Sequence, residues 1–92
     1  MVYTYLLRSL KNRSYYCGIS KDPVERINIH NSGKVFYTKD FMPWELVFTK
    51  PHANYIEARK HEKWLKKKNR QYKDKLAGQV GQRGKYVIYK AI

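Results

Sequence analysis

The chain has 92 residues, with 20 Lys and Arg against 7 Asp and Glu, a formal net charge of +13 and a pI near 10.0. That length makes one domain with a small core, and 42% hydrophobic residues, nine tyrosines among them, are enough to fill it. The charge favours polyanionic partners (DNA, RNA or an anionic membrane surface) and argues against a chain whose charge serves solubility alone. Residues 2–7 and 15–20 are rich in β-formers and flank the polar segment Lys11-Asn12-Arg13-Ser14, a pattern that predicts an antiparallel hairpin. Asp22, Pro23 and Glu25 predict a helix start with Asp22 as its cap, and Asn31-Ser32-Gly33 predict its end. Residues 33–43 read as a loop and 44–49 as a third strand, and Pro51-His52-Ala53-Asn54 read as a break. A long basic helix follows over 54–68, with Asn54 as its cap. Residues 85–90 make either a short last strand or a frayed tail.

The order is β-β-α-β-α, an α+β fold with a small three-stranded antiparallel sheet flanked by helices. One domain over 1–76 carries the chemistry, and 77–92 form a C-terminal extension. Cys17 is the single cysteine, so no internal disulfide forms. No apolar run approaches the roughly 18 residues of a membrane span. The start, Met1 to Leu7, lacks the long apolar stretch and cleavage site of a secretory signal, so no leader is expected. A cytoplasmic protein with no membrane partner is therefore expected.

Side chains on a strand alternate between faces, so a hairpin with an even-length loop puts Tyr5, Tyr16, Tyr3, Leu7, Gly18 and Ser20 on one face. A bulge in that pair would undo this. Two phenols beside a glycine form a surface that a phosphodiester can approach; the plainer reading is two tyrosines packing a core. Arg26 and His30, four residues apart, share a helix face. The planar fork of Arg26 matches a phosphate, although a single arginine is most often a solvated charge. His30 equally fits a helix end. On the later helix Ala58, Glu62 and Leu65 share a face, which puts a carboxylate on an inward stripe. A hard ion such as Mg²⁺ suits it, and an i,i+4 pair with Lys66 is the simpler explanation. Cys17, His30, His52 and His61 lack zinc-ligand spacing.

Taken together these segments resemble the GIY-YIG nuclease superfamily, and within it the small stand-alone UPF0213 type. The anchors are Val2-Tyr3-Thr4-Tyr5-Leu6-Leu7, Tyr15-Tyr16-Cys17-Gly18, Glu25-Arg26 with His30-Asn31-Ser32-Gly33, Pro43-Trp44-Glu45-Leu46-Val47 and 57–66. The resemblance implies a three-stranded antiparallel sheet with helices. It puts the family tyrosines at Tyr5 and Tyr16, the phosphate-orienting arginine at Arg26, a proton-transfer histidine at His30 and the metal-binding glutamate at Glu62. Two positions depart from the excision-repair relatives: Ile19 stands where they carry lysine, and Lys73 falls near their asparagine, for which Asn69 is a poor substitute.

The implied activity is metal-dependent hydrolysis of nucleic-acid phosphodiester bonds, with DNA the foremost substrate and Mg²⁺ or Mn²⁺ the cofactor. Its chemistry requires a phenol of lowered pKa, or a proton that moves as the bond forms. The rival is a nuclease-like fold that grips nucleic acid without cutting it. A third role is an adaptor that pairs through residues 85–90 as an edge strand, which leaves a homodimer open.

Overall fold

A computed structural model describes residues 1–78. The strands are β1 (Val2–Ser9), β2 (Tyr15–Ser20) and β3 (Trp44–His52), and the helices are α1 (Pro23–Asn31), α2 (Tyr55–Lys66) and α3 (Arg70–Ala77). A short 3₁₀ turn, Lys39–Phe41, lies in the loop between α1 and β3. The sheet is antiparallel in the order β2-β1-β3, so the α+β, three-stranded expectation holds, with one helix more than expected. The sequence expectations for 77–92 fall largely outside the described residues, and that for 85–90 does so entirely.

The hairpin closes between Ser9 and Ser14, where Ser9 N–H donates to the Ser14 carbonyl at 2.8 Å. Arg13 takes the positive φ of 66° that the turn needs. Tyr5 pairs with Gly18 and Leu7 with Tyr16, so the two tyrosines share a face. A bulge does occur, but in the β1–β3 pair between Leu6 and Leu7, where it leaves the tyrosine register intact. It turns Val47 and Phe48 to one layer while Leu46 faces the other.

Asp22 Oδ1 accepts the Glu25 N–H at 3.1 Å and starts α1. Gly33, at φ 82°, ends its C-terminal turn. Asn54 caps α2 and Asn69 caps α3 in the same way. Pro51 and His52, expected in a break, belong to β3. They are tolerated there because β3 is an outer strand, where a missing N–H breaks no ladder bond.

Two layers of side chains cover the sheet. Under α1 lie Tyr5, Leu7, Ile27, Trp44 and Leu46, with Tyr16 and Met42 packed against them. Under α2 and α3 lie Leu6, Cys17, Val47, Phe48, Leu65, Leu76 and Ala77. Burial of each large aliphatic side chain there contributes about 1.5–3 kcal/mol.

Candidate active site

Tyr5 stands at the middle of β1, the central strand, and its ring lies over Gly18 on β2. A Cβ at Gly18 would come within 2.5 Å of the Tyr5 hydroxyl, so only glycine leaves room for the phenol. The Tyr5 ring is 1% exposed. Its hydroxyl sits 3.0 Å from His30 Nε2, and His30 is fully buried. The other imidazole nitrogen, Nδ1, lies 2.8 Å from the Thr38 hydroxyl oxygen. That hydroxyl donates to the Val35 carbonyl at 3.4 Å, so His30 Nδ1 carries the proton and Nε2 is left as the acceptor. Tyr5 is then the donor to Nε2. The result is a directed chain of hydrogen bonds from Tyr5 through His30 and Thr38 to the backbone.

Tyr16 is half-buried and closes on the same cluster. Its ring centroid lies 4.9 Å from that of His30 and 6.4 Å from that of Tyr5. Trp44 flanks it at 6.4 Å and donates its indole N–H to the Thr38 carbonyl at 2.9 Å. Asn31 holds Trp44 in place through both backbone groups, at 2.7 and 2.9 Å.

Burial pushes the Tyr5 phenol up to about 12, and the opposing pull of Arg26, by hydrogen bonding and by charge, does not offset it. Tyr5 is thus a protonated phenol at neutral pH, so of the two routes expected a lowered phenol is not met at Tyr5. The guanidinium does press in the expected direction, but desolvation is the larger effect. His30 is held down to about 4, first by burial and then by the Arg26 charge, so it is a neutral imidazole.

Glu62 belongs to the other layer. It projects from α2 between Ala58 and Leu65, both fully buried, and its side chain is 17% exposed. Its Oε2 lies 3.3 Å from Lys66 Nζ, the i,i+4 pair that spacing predicted. Its backbone carbonyl is 3.9 Å from Cys17 Sγ, next to Tyr16 and Gly18 on β2. β2 is an outer strand. Tyr5, Tyr16, Arg26 and His30 therefore form one cluster, and Glu62 stands beside the strand that carries Tyr16 rather than in the cluster. Cys17 is buried, and burial together with Glu62 pushes its thiol up to about 12, which leaves it inert.

Among the described residues no group of three or more His, Cys, Asp or Glu side chains gathers. The donor set is one carboxylate. That fits a hard ion which keeps most of its water, Mg²⁺ or Mn²⁺, and does not fit zinc. Lys66, 55% exposed, is free to swing away from an incoming cation.

Thr38 was not legible as a site residue. It is 1% exposed and fixes the His30 tautomer, yet it lies in a loop with no periodic signal. Asn69 is taken up by the α3 cap, where its Oδ1 accepts the Tyr72 N–H at 2.9 Å. Lys73 acts electrostatically on Cys17 in the same direction as Lys66, against the effect of burial. A second polar group lies at the other end of the α2 layer. There His52 Nε2 meets Thr4 Oγ1 at 3.0 Å, and His61 Nδ1 is buried without a partner.

Comparison with known proteins gives the family and agrees with the fold. The family model described as the GIY-YIG catalytic domain matches residues 1–76. A UPF0213 protein of Streptococcus pneumoniae serotype 4 is 37% identical over 75 residues, covering 80% of this chain and 75% of the relative. The UPF0213 protein YazA of Bacillus subtilis is 37% identical over 65 residues, covering 70% and 66%. The solution NMR structure of a UPF0213 protein from Bacillus halodurans superposes with a TM-score of 0.51 at 36% identity, covering 83% of this chain and 82% of that one. The family model over residues 1–76, the relatives at 37% identity and the shared three-stranded fold together place this chain in the GIY-YIG nuclease family, among its UPF0213 members.

Proposed function

We propose that the chain is a metal-dependent endonuclease that hydrolyses phosphodiester bonds, with DNA as the first substrate to test. The observation that carries this reading is the Tyr5–His30–Thr38 chain with Arg26 and Tyr16 around it. A buried, directional set of polar groups costs stability in a small core and is expected where it serves chemistry.

In this reading Arg26 binds and orients the scissile phosphate through its two parallel N–H donors. Tyr16, the less buried phenol, is the general base: as the phenolate, its own proton lost to solvent, it takes a proton from the attacking water as the new O–P bond forms and the bond to the leaving oxygen breaks. Tyr5 is a positioning residue: its hydroxyl donates a hydrogen bond to His30 Nε2 and keeps its oxygen lone pairs facing the guanidinium. Glu62 would hold the divalent ion, which when bound supplies Lewis-acid stabilisation of charge on the phosphate. Lys66 neutralises Glu62 until the ion arrives. The basic surface supplies salt-sensitive affinity.

Purified protein is expected to nick DNA with Mg²⁺ or Mn²⁺, and Glu62→Ala and Arg26→Ala are each expected to abolish it. Equal cutting by all three would mean a contaminant and would end the assignment.

Two observations favour a second reading, a nucleic-acid-binding module without cleavage: Tyr5 is sealed and protonated, and Glu62 already has a lysine partner. Tight binding that needs no divalent ion and is indifferent to Glu62→Ala, with no cutting of any DNA or RNA offered, would favour it.

A further inference from the structure

The loop that supplies Thr38 also holds two large rings out in solvent. Phe36 is 73% exposed and Tyr37 is 80% exposed, and they meet edge to face with centroids 5.7 Å apart. Adjacent exposed rings are more informative than single ones, since each would gain by burial. Their base is rigid. Thr38 is buried, its N–H donates to the Val35 carbonyl at 3.1 Å, its carbonyl accepts the Trp44 indole, and its hydroxyl meets His30. The rings are therefore displayed at a fixed place, one residue from the group that holds His30.

The surroundings are basic. Lys39 Nζ lies 5.1 Å from the Phe36 centroid, Lys34 is exposed two residues earlier, and Lys11 Nζ bonds the Asp40 carbonyl at 3.0 Å. Asp40 is the one acid of residues 33–43.

We propose that Phe36 and Tyr37 form a stacking platform for unpaired bases beside the cleavage site. The preferred substrate is then a nucleic acid with single-stranded nucleotides next to the scissile phosphate. The chemistry is specific on this point. Ring faces bind bases by stacking, and a base inside a duplex has no free face to offer, while lysines alone bind either form through phosphate. The location rests on the nuclease reading; the test does not, because it measures binding with cleavage suppressed.

The test is fluorescence anisotropy in chelator at fixed salt. A labelled single strand of about 12 nucleotides, within the span such basic grooves cover, is compared with a blunt duplex of the same sequence. Phe36→Ala and Tyr37→Ala should each weaken single-strand binding about tenfold, the effect of losing one stacked base. Duplex binding should stay unchanged. Tyr37→Trp should retain affinity, with indole fluorescence quenched by the single strand. Both positions are exposed, so melting curves should match wild type. Unchanged single-strand affinity in the double alanine variant would overturn the platform. So would equal loss for strand and duplex, or a fall in solution mass, which would mark the rings as a self-association surface. A protein that never cuts but shows the strand-selective loss keeps the platform while the nuclease reading fails.

Discussion

Under α2 and α3 the middle of the sheet is covered by Leu6, Val47, Phe48, Leu65 and Leu76, side chains with nothing to satisfy. Under α1 the same sheet is covered by Leu7, Ile27 and Leu46 interleaved with a buried phenol, a buried imidazole and a buried hydroxyl bonded in series. The two layers share three strands, so strand propensity cannot account for the difference. Apolar packing alone would hold either face. The polar chain through the middle of one of them needs another reason, and the proposed function supplies one, proton handling next to a bound phosphate; on the other layer the buried polar groups, Thr4, His52 and His61, lie at its end.

The comparison breaks most visibly at Leu65. Leu65→Ala should cost about 3–4 kcal/mol of stability, read from denaturant unfolding, because it opens a cavity in the apolar layer. Any loss of cleavage should follow the unfolded fraction. Arg26→Ala and Glu62→Gln should do the reverse. Each should lower the cleavage rate about 10²- to 10³-fold, as for other lost transition-state contacts, with melting little changed. If either variant unfolds as Leu65→Ala does, its role is structural. Gly18→Ala tests the contact between strand and phenol: the added methyl must displace Tyr5, at a cost of about 1–3 kcal/mol, and cleavage should fall with it.

Acid sharpens the contrast most gently. His30 on one layer and His61 on the other are both held down to about 4, by burial first, then by Arg26 for His30 and by His52 and Lys50 for His61. An unfolded histidine protonates near 6.5. Below that value the unfolded chain binds more protons than the folded one. Stability is therefore full above about pH 7 and is lost as pH falls from about 6.5 toward 4. His30→Leu and His61→Leu should each flatten that acid loss, as measured by melting temperature against pH. An acid loss unaltered in both would place the sensitivity elsewhere.

Much of the hairpin was legible because strand alternation fixes which residues share a face whatever the exact register. Asp22 and Asn54 fixed two helix starts through their side-chain oxygens. The α3 helix was missed, although Asn69 as a cap and Tyr72 with Leu76 at helical spacing were signals for it. Pro51 misled because its meaning depends on β3 being an outer strand, a tertiary fact. At the site, the residue types and the shared face of Tyr5 and Tyr16 could be read. The protonation of Tyr5 could not, since it depends on how much water the folded layers exclude. Thr38 was invisible because a loop residue that fixes a tautomer leaves no periodic trace.

The most direct measurement is cleavage and melting of one double variant, Tyr5→Phe with His30→Leu. Removing both partners leaves no orphaned donor or acceptor between them, so the fold should be as stable as wild type or more so. Cleavage should fall about 10²-fold, the low end of what a proton-handling group and its positioning partners contribute. Full cleavage in a stable double variant would contradict the account, and so would a loss of activity that merely tracks a loss of fold.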